Sequence, residues 1–221
     1  MKKNLTEIVC ILDKSGSMSG LEKDTIGGYN AMLEKQKKED GDAYISTILF
    51  SDYSKVIHDR TKINDLIPLT EEEYYVDGCT ALLDAIGNAI KHIKNVHKYL
   101  KEEDRPEKTL FIITTDGQEN SSKIYSYEKV KRMVEKQKEK YGWEFIFLGA
   151  NIDSIAEASR LGIHADRAVN FNCDKEGIAK SYMVLSETVS CVRRIKDDRI
   201  DMVLGQDWKK DIEDDYKKRH K

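Results

Sequence analysis

Two prolines, four cysteines and the want of any long apolar run bound what this chain of 221 residues can be. With so few prolines there is no Pro-rich linker to divide it, and the length fits one large domain or one domain with an extension. Cys10, Cys79, Cys173 and Cys191 show no C-x-x-C spacing, so neither a zinc site nor a disulfide framework is written in the pattern. No stretch approaches the ~20 apolar residues of a membrane span. The run that follows the basic start Met1-Lys2-Lys3-Asn4 is cut by Asp13 and is too short for a signal peptide. The expectation is a cytoplasmic protein with reduced thiols and no membrane association. An excess of charge is missing too. A net charge of −3 and a pI near 6.0 favour neither nucleic acid nor an anionic membrane as partner. Charged residues are nonetheless 35% of the chain, with both signs interspersed, which predicts a heavily solvated surface.

What is present is an alternation. Residues 8–12 form an apolar run, as a central strand buried on both faces requires. Helical spacing of Ile26, Tyr29 and Leu33 predicts a helix over 21–38, interrupted in propensity by Gly27-Gly28. Residues 43–50 and 55–58 read as a hairpin whose polar second member fits a sheet edge. A loop with Pro68 follows, then a helix carrying Leu83, Ile86, Ile90, Ile93 and His97 on one face. Strands over 109–115 and 143–148 flank a helix marked by Tyr127, Val130, Val134 and Tyr141. A short helix over 154–161, a last strand over 168–171 and a helix through Ile178, Tyr182, Leu185 and Val189 complete the pattern. Charges dominate from Lys196 onward, and the tail over 209–221 is expected to be solvated or frayed. Strands alternating with helices imply an α/β fold: a doubly wound, mostly parallel sheet with one antiparallel edge strand and helices on both faces. The division expected is a domain over 1–172 and a C-terminal helical extension over 173–221, packed on or following it.

Two apolar strands end in an acid, Asp13 and Asp116. In open α/β sheets ligands sit beyond the carboxyl ends of the strands, where strand order reverses. Asp13-Lys14-Ser15-Gly16-Ser17 adds two hydroxyls at alternate positions, and Gly78-Cys79-Thr80 stands before a strong helix. Closely spaced carboxylate and hydroxyl oxygens suit a hard cation such as Mg²⁺. Each piece also has an ordinary reading: Thr80 as a helix N-cap, Asp116-Gly117 as a turn. Glu119, Asn120, Asn151 and Asp153 lie on loops at the same edge, and the five histidines show no metal spacing and are read as surface or helix-face residues.

Taken together, the three segments resemble the metal-ion-dependent adhesion site of von Willebrand factor type A domains, in a form like that of cytoplasmic bacterial or phage proteins. That family has D-x-S-x-S in a first loop, a threonine in a second and an aspartate at a later strand end. Asp13, Ser15, Ser17, Thr80 and Asp116 match all five positions, and the order of elements extends the resemblance over about 5–171. The resemblance implies a divalent metal, Mg²⁺ with Mn²⁺ or Ca²⁺ as substitutes, held by the three hydroxyls and by the aspartates directly or through water. It implies a partner protein whose acidic residue fills an open coordination position, and a binding module without catalysis. The alternative is a metal-dependent phosphoryl-transfer hydrolase of Rossmann-like fold. Its second strand-end acid is missing, because Ser15 stands there, and no G-x-x-x-x-G-K-[ST] loop exists.

Overall fold

The first apolar run belongs to a 12-residue strand, β1 (Lys2–Asp13), in a computed structural model that describes residues 1–195 and 199–220. Lys196, where the charged stretch begins, and Lys221 lie outside the described residues. β1 pairs in parallel with β2 (Asp42–Phe50) on one side and β4 (Pro106–Thr115) on the other. β3 (Ser54–Lys62) runs antiparallel on the outer edge of β2, and β5 (Glu144–Gly149) and β6 (Ala168–Asn170) extend the sheet beyond β4. The order is β3-β2-β1-β4-β5-β6. Strand order therefore reverses between β1 and β4, the two strands that end in Asp13 and Thr115-Asp116.

Alternate side chains of β1 feed two cores. Cys10 and Leu12 join Tyr29 of α1 (Glu22–Gln36) and Leu185 of α5 (Lys175–Arg194) on one face. Val9 and Ile11 join Ile86 and Ile90 of α2 (Leu82–Tyr99) and Val130 of α3 (Tyr127–Tyr141) on the other, with α4 (Ser154–Arg160) beyond. Each such aliphatic side chain, fully removed from water, contributes roughly 1.5–3 kcal/mol, and this two-sided burial is why β1 has no polar alternation over 8–12. The α/β arrangement with one antiparallel edge strand is the one expected from the sequence.

Three local readings change. The edge strand β3 is longer than the expected 55–58, because Arg60 leaves the extended region (φ 48°) at an irregularity in the β2–β3 register and reaches the buried Glu7. The tail does not fray. After α6 (Ile200–Val203), Leu204 is fully buried, and α7 (Lys210–Arg219) seats Ile212 at 2% exposure. Asp215 holds it in place by accepting from Asn172 Nδ2 at 2.8 Å and Lys180 Nζ at 2.9 Å. Those partners lie outside the tail, on α5 and the loop before it, so no tail periodicity could announce them. Finally, His58 is buried on β3, with Nδ1 2.9 Å from Thr47 Oγ1, whereas His97 keeps its place on the inner face of α2, with Nε2 3.1 Å from Glu7 Oε2.

Gly27-Gly28 also resolves. A Cβ on Gly28 would lie 2.5 Å from Cδ2 of Tyr182, so the close approach is to α5 and not to the sheet, whereas a Cβ on Gly27 meets nothing within 4 Å. Gly28→Ala is expected to destabilise by roughly 1–3 kcal/mol through overpacking. Gly27→Ala is expected to stabilise by about 0.4–1 kcal/mol through the unfolded chain. Urea midpoints of the two variants check this, and effects of equal sign would contradict it.

Candidate metal centre

Three loops meet at the carboxyl edge of the sheet. The first leaves β1 at Asp13, whose carboxylate is buried and doubly engaged: Oδ1 accepts from Ser15 N at 2.7 Å and Oδ2 from Thr115 Oγ1 at 2.6 Å. Tyr74, itself buried, donates its hydroxyl to the Asp13 carbonyl at 2.5 Å. Asp13 is thereby fixed from β4, from its own loop and from the segment that precedes the second loop. The Ser15 and Ser17 hydroxyls lie 3.1 Å apart, and Ser17 Oγ donates to Asp116 Oδ1 at 2.5 Å.

The second loop is locked to the first by backbone. Gly16 N donates to Gly78 O at 3.1 Å, and Asp77 N donates to Lys14 O at 2.9 Å. Gly78 has φ 64°, and a Cβ there would fall 2.2 Å from Asp52 Oδ2, so glycine is required twice over. Asp52 Oδ1 in turn accepts from Cys79 N at 3.1 Å. These contacts deliver Thr80, which is 3% exposed, to the same crevice. A Cβ placed on Gly117 would lie 3.3 Å from Thr80 Oγ1 and 3.5 Å from Ser17 Oγ, so both hydroxyls flank the Asp116-Gly117 turn. The structure thus brings all five sequence-predicted residues together.

Thr80 is not a helix cap. The capping position of α2 is Ala81, and the first turn is held from the third loop instead: Leu83 N donates to Glu119 Oε2 at 2.9 Å and Asp84 N to Ser122 Oγ at 3.0 Å. Asn120 Oδ1 accepts from Thr80 N at 2.9 Å. Glu119 and Asn120, read from sequence only as polar loop residues at this edge, therefore position the threonine. Asp153 caps α4, and Asn151 takes a left-handed backbone (φ 56°). Thr115, Tyr74 and Asp52 carried no signal in the sequence. A threonine ending a β-strand, a tyrosine in a loop and an aspartate in a turn are each commonplace, and only the fold makes them neighbours.

The electrostatics are those of a site short of positive charge. Burial pushes the Asp13 carboxyl up to about 6, against the bonds from Thr115 and Ser15, and nearby Asp116 adds to the rise. Burial also raises Asp116, against the bond from Ser17. Cys173 Sγ lies 3.6 Å from Asp116 Oδ2, and its thiol is pushed up to about 12 by burial and by that carboxylate. Neither acid has an ion-pair partner among the described residues. Lys14, next in sequence to Asp13, is buried but turned to Asp77 and lies 4.3 Å from the Tyr75 ring centroid. Among the described residues no cluster of three His, Cys, Asp or Glu side chains exists that could hold a metal. The donors here are mostly hydroxyls, which suit Mg²⁺ rather than a soft ion. Two adjacent buried carboxylates without a cation, ringed by three hydroxyls, fit a divalent metal.

No protein-family model matches the sequence, and no curated protein does. Solved structures match in fold. Proximal thread matrix protein 1 from the mussel byssus, with a zinc-occupied MIDAS motif, aligns at TM-score 0.57 and 16% identity over 84% of this chain and 46% of that one. A von Willebrand factor type A protein from Catenulispora acidiphila aligns at TM-score 0.57 and 15% identity over 84% and 42%. The conserved hypothetical protein BatB from Bacteroides thetaiotaomicron aligns at 0.53 and 13% over 86% and 100%. The chain spans a little under half the length of the first two. Its fold is that of a von Willebrand factor type A domain.

Proposed function

We propose that this chain is a Mg²⁺-dependent, non-catalytic protein-binding module that engages an acidic residue of a partner through Asp13, Ser15, Ser17, Thr80 and Asp116. The observation that carries the reading is the convergence of three hydroxyls on two buried carboxylates that no side-chain cation among the described residues neutralises. Bound metal supplies a Lewis-acidic position at which an outside carboxylate can complete the coordination. The chain's own part is to hold the oxygens. Thr115 and the Ser15 amide orient Asp13, Ser17 orients Asp116, and Glu119 and Asn120 hold the Thr80 loop. Asp13 has both oxygens committed to protein donors, which favours contact with the metal through water. The zinc-occupied site of the mussel protein supports a divalent ion here. Mn²⁺ and Ca²⁺ are the substitutes to be tested beside Mg²⁺.

The phosphoryl-transfer alternative gains nothing from the geometry. The second residue after Asp13 is Ser15, a hydroxyl where that chemistry needs an acid. We place the module in a reducing cytoplasm, in keeping with four free cysteines. No described helix is long and apolar enough to cross a membrane.

Thr80→Ala tests the reading. It removes a hydroxyl at the site but no capping bond, so the loss of stability should stay at or below about 0.5 kcal/mol, the lower limit for a lost cap. A partner captured in Mg²⁺ and released by EDTA should bind the variant at least about tenfold more weakly in Mg²⁺, a difference of about 1.4 kcal/mol. Wild-type affinity equal with and without metal would exclude the bridging mechanism and leave only the fold.

A further inference from the structure

The average charge of this chain conceals a segregated face. On α2, Lys91, Lys94 and Lys98 follow one another at helical spacing, and on α3 so do Lys129, Arg132, Lys136 and Lys140. The two rows border a continuous depression. Its upper part, about 420 Å³, is lined by Ile90 and Met133 with five cationic side chains and no acid. Its lower part, about 670 Å³, shares Lys94 and Gln137 with the upper and opens around Tyr141, Trp143 and Arg105. It lies away from the candidate metal centre, near the far ends of both helices and the start of β4.

Carboxylates neutralise few of these cations. Apart from Arg132, which pairs with Glu128 at 3.5 Å, no cation of the two rows has an ion-pair partner among the described residues. Of the other acids of α3, Glu135 is directed away from the groove: it lies 3.9 Å from Lys131, and both pack on Gly162. Of the lower cavity's three acids, Glu144 pairs with Arg167 at 3.4 Å, Glu107 accepts from Asn4 N at 2.7 Å, and Glu102 stands at the rim beside Arg105. Like charges at successive helical turns repel, so the rows oppose folding when nothing covers them. Two buried polar atoms that line the cavity also lack a partner among the described residues, Arg105 Nε and Gln137 Oε1, and Gln137 is only 2% exposed.

We propose that the α2–α3 groove binds single-stranded nucleic acid. Lysines are mobile point charges that suit a phosphate backbone without sequence preference. The groove also ends in an exposed ring face. Tyr141 is 49% exposed and has the Lys140 ammonium over its ring at 5.5 Å. A base can stack on such a ring while its phosphate meets the adjacent ammonium. An acidic peptide would use the same lysines but leave the ring unmatched. A duplex needs an element that enters a groove, and this surface is concave. The sequence-level expectation against nucleic acid rested on net charge, which does not register segregation of charge onto one face.

The test is fluorescence anisotropy of a labelled single strand of about 16 nucleotides, with EDTA present to silence the metal centre. Binding is expected at about 10⁻⁴–10⁻⁶ M, with log K falling against log salt by about 0.7 per phosphate neutralised. Lys94→Glu/Lys136→Glu/Lys140→Glu should weaken it at least about tenfold. Lys23→Glu/Lys175→Glu/Lys218→Glu, with the same charge change away from the groove, should weaken it no more than about threefold by long-range potential. Tyr141→Ala should weaken binding while leaving the salt slope unchanged. The proposal is overturned if no binding occurs, or if the control triple loses as much as the groove triple. It is equally overturned if a duplex or a polyglutamate of similar length binds as tightly as the strand. Circular dichroism of both triples separates loss of binding from loss of fold.

Discussion

Asp116→Ala is expected to abolish divalent-metal binding while leaving the fold intact, and its effect on thermal stability should change sign with metal. Asp116 stands at the mouth of the crevice, where its carboxylate is met by the Ser17 hydroxyl at 2.5 Å and by the Cys173 thiol at 3.6 Å. Removing the groups that merely orient a ligand typically lowers metal affinity 10–100-fold. Losing one of two site carboxylates should therefore lower it by at least about a hundredfold. In EDTA the same change removes a charge whose ionisation burial already disfavours, so the unfolding temperature should hold or rise. In excess Mg²⁺ the wild type gains RT ln(1 + [L]/Kd) and the variant gains nothing. Calorimetric titration with Mg²⁺ and Mn²⁺, paired with thermal unfolding in each condition, measures both halves. Metal affinity retained within about tenfold, a loss of only about 1.4 kcal/mol, would show that Asp116 serves the turn and not an ion.

The same residues show what a sequence makes legible. Asp13, Ser15, Ser17 and Asp116 were visible because each sits where an apolar run stops, and a buried strand that ends in an acid defines its own position and direction. The two-core sheet was visible for a similar reason, since β1, β4 and β5 are apolar over their central lengths and cannot be solvated. Thr115 was hidden because its partner, Asp13, is 102 residues away and adjacent only through the β1–β4 pairing. Asp52, which sets the Gly78 turn, was hidden because its signal is one aspartate in a polar hairpin. The tail is largely solvated, as its charges require, but its order was hidden because a single isoleucine, Ile212, and a remote ion-pair cluster around Asp215 dock it. Periodicity detects faces, not isolated anchors. The basic groove escaped because its two rows are 31 or more residues apart and are diluted in sequence by the glutamates of α3.

Glu7→Ala should be the most destabilising single change outside the hydrophobic cores. Glu7 lies in β1 with no exposed surface, and it accepts from Arg60 Nε at 2.8 and 2.9 Å and faces His97 Nε2 at 3.1 Å. It ties both the polar edge strand β3 and the end of α2 to the central strand. Arg60 adopts its left-handed backbone there, with its guanidinium carbon 4.8 Å from the Tyr44 ring centroid, and His97 stands edge-on to Trp143 at 5.4 Å. Truncation leaves a largely buried guanidinium without its counter-ion, a loss of about 3–5 kcal/mol in a domain whose whole stability is about 5–15 kcal/mol. Glu7→Gln keeps the shape and one acceptor and should cost about 1–3 kcal/mol. Arg60→Ala added to Glu7→Ala should recover part of the loss, because the stranded charge goes with it. Urea unfolding of the four proteins decides the matter. Glu7→Ala within about 1 kcal/mol of wild type, the ordinary effect of a point change, would mean that β3 is held by its ladder alone. Six residues of extended chain, about 20 Å, separate Glu7 from Asp13. At temperatures where Glu7→Ala is still folded, its Mg²⁺ affinity should therefore equal that of wild type, so that scaffold and site are read out independently.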